Sequence, residues 1–280
     1  MKTLVASLVA AIALSGAGPA LAAPKPIAEI KLVPYRKTVA LDAVVNGKAG
    51  HFIFDSAGGS TVLSPNFAAA AGCKVWARSS GHRMMGDRLD APRCDNVKGQ
   101  FGAFTGVAPV GLVLDITALI AKDAAPVDGS IALDMFDGQA ITIDVSAGKL
   151  IVESPASLKA RIRTARELPV RLARETQGTS LAANLEVQTA QGVARFELDT
   201  GNGGTILVAA PFAELFGLKP NLETPQNASF EVAPGIRAEG LAFAPDKMIL
   251  DGNLGMPFLR KYAVTLDLKA SRLWLAPTGS

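Results

Sequence analysis

The chain has 280 residues, 49% of them apolar and 6% aromatic, with 27 glycines and 17 prolines. Twenty-eight basic residues against 25 acidic ones leave a formal charge of +3, and no basic block is interleaved with aromatics, which argues against a nucleic-acid partner. Two histidines and two cysteines, with no C-x-x-C pair and no H-E-x-x-H, exclude most metal-cluster chemistry, so neither metal nor cofactor is expected.

The first 22 residues read as a signal peptide. Met1-Lys2 starts positive, Leu4 to Leu14 is apolar or small, Gly16, Gly18 and Pro19 break the run, and Ala20-Leu21-Ala22 offers small residues for cleavage. The competing reading is a membrane anchor, but the run falls short of the ~20 residues that a bilayer core needs. A periplasmic or secreted protein with no stable membrane anchor is therefore expected. Export puts Cys73 and Cys94 where disulfides persist; the alternative is two buried thiols.

Val39 to Val45 reads as a strand, Asn46-Gly47 as a hairpin turn, and His51 to Phe54 as the returning strand that delivers Asp55. His51 is expected on the surface of an edge strand. Ser64 is a good N-cap, Pro65 suits the first helical position, and Gly72 ends the helix. Ile141 to Val145 alternates, turns at Ala147-Gly148 and returns as Lys149 to Val152. A basic, Pro-bounded stretch from Glu153 to Pro169 reads as a linker. Beyond it, Phe196-Glu197-Leu198-Asp199 forms a second strand ending on an aspartate, and Pro211 and Gly217 bracket a second short helix.

The chain repeats itself. Phe52-Ile53-Phe54-Asp55-Ser56-Ala57 aligns with Phe196-Glu197-Leu198-Asp199-Thr200-Gly201, 144 positions later. "DGSIALDMFDGQAITIDVSAGKLIV", from Asp128, aligns with "DGNLGMPFLRKYAVTLDLKASRLWL", from Asp251, 123 positions later. Two blocks in the same order, twice, divide the mature chain into homologous halves, 23–152 and 170–280, joined by 153–169. An all-β architecture is expected, with two lobes related by a pseudo-twofold axis and a small helix after each Asp loop.

Alone, the stretch "FIFDSAGGSTVLS" favours a turn, since Asp and Gly are common turn residues. The repeat supplies a partner. A pseudo-twofold would bring Asp55 and Asp199 together, and two carboxylates at close range share one proton. The ionised one can take a proton from a water and the neutral one can donate to a peptide carbonyl. Ser56 and Thr200 fit as locks, each hydroxyl bonding the opposite loop's backbone.

With Asp199-Thr200-Gly201 in "FELDTGNGGTILV", its partner Asp55-Ser56-Ala57, and Asn253-Leu254-Gly255 in "DGNLGMPFLRKYAVTLD", the chain resembles the aspartic protease superfamily (pepsin/retropepsin-like) over roughly Val39 to Ala276. The resemblance implies an exported endopeptidase acting on peptides or unfolded proteins, with Asp55 and Asp199 catalytic and Ser56, Thr200, Ala57 and Gly201 supporting them. It also implies a flap over the substrate, expected around "SSGHRMMGDRLDAPRC", with Gly81 and Gly86 at a mobile tip and Met84-Met85 as its apolar underside; an ordinary surface hairpin is the alternative. The first half departs from the family twice, with Ala57 and Ala132 at glycine positions. The second functional reading is accordingly an inactive, aspartic-protease-like protein that binds peptides or a partner protein.

Overall fold

A computed structural model describes residues 24–120 and 123–279. The expected signal peptide, 1–22, lies outside the described residues. Among those residues, no helix is long and apolar enough to cross a membrane.

The chain is mostly β, with its strands in sheets of eight, seven and six. In the eight-stranded sheet the hairpin Thr38–Val45 and Lys48–Phe54 is closed by Asn46 and Gly47, both at positive φ (49° and 82°), as a two-residue hairpin turn requires. Lys48–Phe54 is exposed at its start and buried over its last three residues. There it runs parallel to Gly129–Ile131, which pairs antiparallel on its other side with Val62–Leu63. It is a central strand rather than the edge strand expected at His51. His51 sits at its open end, with Nδ1 2.7 Å from Asp42 Oδ1.

The seven-stranded sheet follows the same pattern. Gly192–Leu198 runs parallel to Gly252–Leu254, which pairs antiparallel with Ile206–Val208. The repeated Asp-Gly pair accounts for this arrangement. The carboxylate oxygen Oδ2 of Asp128 accepts from the His51 N–H (2.8 Å), and that of Asp251 from the Arg195 N–H (2.9 Å). The glycine then lets the strands approach. A Cβ on Gly129 would lie 1.9 Å from the Val62 carbonyl oxygen, and one on Gly252 would lie 2.4 Å from the Phe196 ring.

The six-stranded sheet joins the two repeats. Ala140–Asp144 pairs antiparallel with Tyr262–Asp267, and Thr142 faces its own counterpart Thr265, hydroxyl to hydroxyl at 2.9 Å. The expected linker 153–169 is more structured than a solvated connector. It contains the helix Pro155–Arg161, capped by Ser154, and the strand Arg166–Leu168, which pairs with Arg272–Pro277 in this sheet. Glu153 is buried and bonds Thr142, Ser157 and Arg161.

One apolar cluster runs through the molecule. Phe54, Phe101, Phe104 and Phe136 pack on one another in the first repeat, and Phe196, Phe216 and Phe230 in the second. Ser64 caps the helix Pro65–Ala70. The second expected helix is a 3-10 segment, Ala210–Phe216, ended by Gly217 in the left-handed region. Cys73, just past the first of these helices, is bonded to Cys94 on the strand Arg88–Phe101.

Closing a loop with a sequence separation of 21 restricts the unfolded chain. The double variant Cys73→Ser, Cys94→Ser is expected to lose about 3 kcal/mol of unfolding free energy in a denaturant melt. Two free thiols, titrated in denaturant without reductant, would contradict the bond.

Candidate active site

The two repeated strands deliver their aspartates to one place. The Asp55 N–H donates to the Ile131 carbonyl (2.9 Å), and the Asp199 N–H to the Leu254 carbonyl (3.0 Å). Each aspartate is thus held by the parallel strand beside it, and the residue that follows reaches across. The Ser56 hydroxyl donates to the Leu198 carbonyl (2.7 Å) and accepts from the Thr200 N–H (3.0 Å). The Thr200 hydroxyl donates to the Phe54 carbonyl (2.7 Å) and accepts from the Ser56 N–H (2.9 Å). Four buried bonds therefore tie the loops crosswise, and every polar group in the lock has a partner.

Within this frame Asp55 approaches the Asp199 loop: its carboxyl lies against the Gly201 backbone, two residues after Asp199, and the charge of Asp199 acts on it. Asp55 lies over Gly201, where a Cβ would come within 2.8 Å of its carboxyl carbon, so only glycine fits at 201. The surroundings of the two acids are unequal. Oδ1 of Asp199 accepts from the Gly201 and Asn202 N–H groups (2.7 and 3.0 Å), and Oδ2 accepts from the Asn253 amide (2.7 Å). The Asp55 carboxylate accepts from the Ala57 N–H (3.1 Å), while the Gly58 N–H donates to the Asp55 main-chain carbonyl (3.2 Å). Burial, and then the charge of Asp199, pushes Asp55 up to about 7. Burial also pushes Asp199 up, but Asn253 and the two backbone donors act against it. Both acids are thus pushed toward holding a proton, and Asp199 has more donors opposing that shift.

The alanines of the first repeat fit this frame. Ala57 keeps the backbone donor that Gly201 supplies in the other loop. Ala132 is fully buried. At its counterpart Gly255, a Cβ would meet the Asn202 side chain at 2.7 Å as well as its carbonyl oxygen at 2.3 Å; the first repeat has Gly58 in place of Asn202, which removes the side-chain contact.

The contacts that three residues make around Asp199 were not read from the sequence, although Asn253 was placed in the element beside the Asp loop. Asn202 and Asn253 are bonded to each other, Nδ2 to Oδ1 at 2.7 Å, and both donate to Asp199. Glu197, two residues before Asp199, is 8% exposed and lies 3.5 Å from the Asn253 amide nitrogen. The available signal was contrast between the repeats: Glu197 stands where the first has Ile53, and Asn253 where it has Ser130.

The segment expected as a flap is the hairpin Ala77–His82 and Arg88–Phe101, with its tip at 83–87. Gly86 turns the tip at φ 83°. Gly81 does not share that tip; it lies in the first strand opposite Leu89. Met84 and Met85 pack on the cluster formed by Leu207, Ala209 and Met248, and the Met84 carbonyl accepts from the Ile249 N–H (2.9 Å). The tip thus reaches from the first repeat to a loop of the second.

No protein-family model matches the sequence, and no curated protein matches it. Among solved structures, basic 7S globulin from soybean, a protein of pepsin-like fold, is similar with a TM-score of 0.53 and 10% identity, over 90% of this chain and 94% of that one. At that identity the likeness concerns the fold.

Thr200→Ala removes two lock bonds and leaves the Ser56 N–H buried without an acceptor. It is expected to cost about 2–4 kcal/mol in a denaturant melt, while Thr200→Ser, which keeps the hydroxyl, costs less than half as much. A second expectation follows from linkage. The folded state holds the Asp55 proton more tightly than the unfolded chain, where the reference value is 3.8. That contribution is full below 3.8 and is lost as pH rises to about 7. Melting curves across this window should show wild type losing more stability than Asp55→Asn; parallel curves would contradict the placement of the proton.

Proposed function

We propose that this chain is an aspartic-type endopeptidase that cleaves peptides or unfolded proteins, built as two homologous lobes of the pepsin/retropepsin-like type, 23–152 and 170–280. The observation that carries this reading is the approach of the Asp55 carboxyl to the Asp199-Thr200-Gly201 loop, with the two loops held by the crosswise bonds of Ser56 and Thr200. The two-lobed arrangement is supported by the matching strand patterns and by Thr142 and Thr265 meeting as counterparts. An exported location stays part of the proposal and is supported by the leader-like start of the sequence.

Asp199, with three N–H donors, is the base. It takes a proton from a water held between the carboxyls as the water oxygen bonds to the scissile carbonyl carbon. Asp55 gives its proton to the carbonyl oxygen, producing a neutral tetrahedral diol with no covalent link to the protein. Asp199 then returns its proton to the amide nitrogen, the C–N bond breaks, and Asp55 recovers its proton from a diol hydroxyl. The 83–87 tip, with Met84 and Met85 apolar, is suited to cover an extended peptide.

The alanines at 57 and 132 favour a second reading, a protein that holds peptides without cutting them. Hydrolysis of a fluorescently labelled unfolded protein, followed from about pH 3 to about pH 8, separates the two. Endopeptidase activity is expected to fall away as pH rises through about 7, with the titration of Asp55. Asp199→Asn should lower it by about 10³-fold or more. Peptide binding without turnover in wild type would replace the first reading with the second.

A further inference from the structure

The two methionines at the 83–87 tip take no part in the chemistry just described, yet their seat is specific. Among the described residues, Met135, Met248 and Met256 are buried, whereas Met84 and Met85 are half-buried and reachable by solvent. Leu207, Ala209 and Met248 form a small apolar cluster apart from the main core, and Met84 and Met85 close it from the side of the hairpin. One backbone bond fastens the tip to this seat, from the Ile249 N–H to the Met84 carbonyl (2.9 Å). Beside it, a Cβ on Gly86 would lie 3.3 Å from Ile249 Cγ2, and Ile249 is itself 58% exposed.

The seat and the hairpin together connect the two Asp loops. Leu207 lies on Ile206–Val208, the strand that leaves the Asp199 loop, and Ala209 follows it. On the other side, a Cβ on Gly81 would lie 3.9 Å from Thr176 Oγ1. A few residues on from Thr176, the Leu181 N–H donates to the Gly59 carbonyl (2.7 Å), within the Asp55 loop. The hairpin thus has one strand beside a turn tied to the Asp55 loop and its tip beside the strand from the Asp199 loop. It is fastened there by contacts that the chain makes with itself.

We propose that Met84 and Met85 are an oxidation site, and that the tip they carry is a latch released by hydrogen peroxide. A thioether sulfur gives an electron pair to one peroxide oxygen. The O–O bond breaks, a sulfur–oxygen bond forms, and the second oxygen leaves with both hydrogens as water. The product is a methionine sulfoxide. A thioether is flexible and apolar and fills an irregular seat. A sulfoxide oxygen is a polar acceptor, and returning it to apolar surroundings costs its hydration. Only one backbone bond backs the apolar contact, so losing that contact frees the tip. The hairpin that covers Met248 meets the oxidant first, which leaves the seat intact for relatching once the sulfoxides are reduced. The consequence for hydrolysis rests on the endopeptidase reading: a freed tip uncovers the site, and peptides enter it faster.

The test treats the folded protein with hydrogen peroxide and maps oxygen uptake by mass spectrometry of its peptides. Met84 and Met85 should be oxidised while Met135, Met248 and Met256 are spared. Oxidation that spares Met84 and Met85, or reaches all of them at one rate, would overturn the site. Exchange of the Ile249 amide hydrogen, followed by NMR, reads the latch. It should quicken about tenfold or more on oxidation, and slow again once methionine sulfoxide reductases have reduced both sulfoxide epimers. The double variant Met84→Leu, Met85→Leu keeps the seat apolar but cannot be oxidised, so its Ile249 exchange should ignore peroxide; a response there would overturn the inference. Unchanged Ile249 exchange in oxidised wild type would overturn the latch, and that comparison decides if the double variant does not fold. Faster exchange with no peptide hydrolysis in either form leaves the latch standing and removes the endopeptidase reading. Hydrolysis in both forms with unmoved exchange does the opposite.

Discussion

The site depends on one exchange of hydrogen bonds, in which Ser56 and Thr200 each donate a hydroxyl to the other loop's strand and accept the other's backbone N–H. Neither loop could hold its aspartate in this position alone. Two carboxyls repel when charged and lose hydration when brought together, so the scaffold must oppose both effects. It does so with four bonds formed away from water, where breaking one leaves an unsatisfied group. Parallel pairing of each Asp strand with its Asp-Gly partner supplies the stiffness behind the lock.

The lock is nearly symmetric, but the electrostatics are not. Asp199 receives a side-chain amide that Asp55 lacks. That difference favours charge on Asp199 over charge on Asp55. It also gives the two acids separate tasks in the proposed hydrolysis, since a base and an acid at the same pH need environments that push them apart. The second repeat carries the polar additions, Glu197, Asn202 and Asn253, while the first holds Ile53, Gly58 and Ser130 in their places. The departure of Ala57 from its counterpart Gly201 therefore falls on the side of the site with the simpler environment.

Much of the frame was legible in the sequence because it rests on local rules. Asn46-Gly47 marks a hairpin, Ser64-Pro65 starts a helix, and the two repeated blocks align residue for residue. The meeting of Asp55 with Asp199 could be inferred only through the repeat, since nothing local links positions 144 apart. Other features were not legible. Gly81 reads as a tip residue but is drawn into a strand by pairing with Leu89. The stretch 153–169 reads as a linker because it is basic and bounded by prolines, yet its strand completes a sheet edge through contact with residues more than a hundred positions away. The Asn253 amide bridges two acids that lie more than fifty positions before it. Tertiary contacts of this kind leave no periodic trace; the substitutions of Glu for Ile and of Asn for Ser between the repeats were the visible hints.

The account stands on Asp55 keeping a proton that its ordinary chemistry would release. Isotope-edited infrared spectroscopy at about pH 6, below the titration of Asp55, tests this most directly, with the Asp55 band identified by its loss in Asp55→Asn. A protonated carboxyl band from Asp55, displaced when Asp199 is replaced by asparagine, is the result the account predicts. An Asp55 that is fully ionised at that pH, or whose band ignores Asp199, would contradict it.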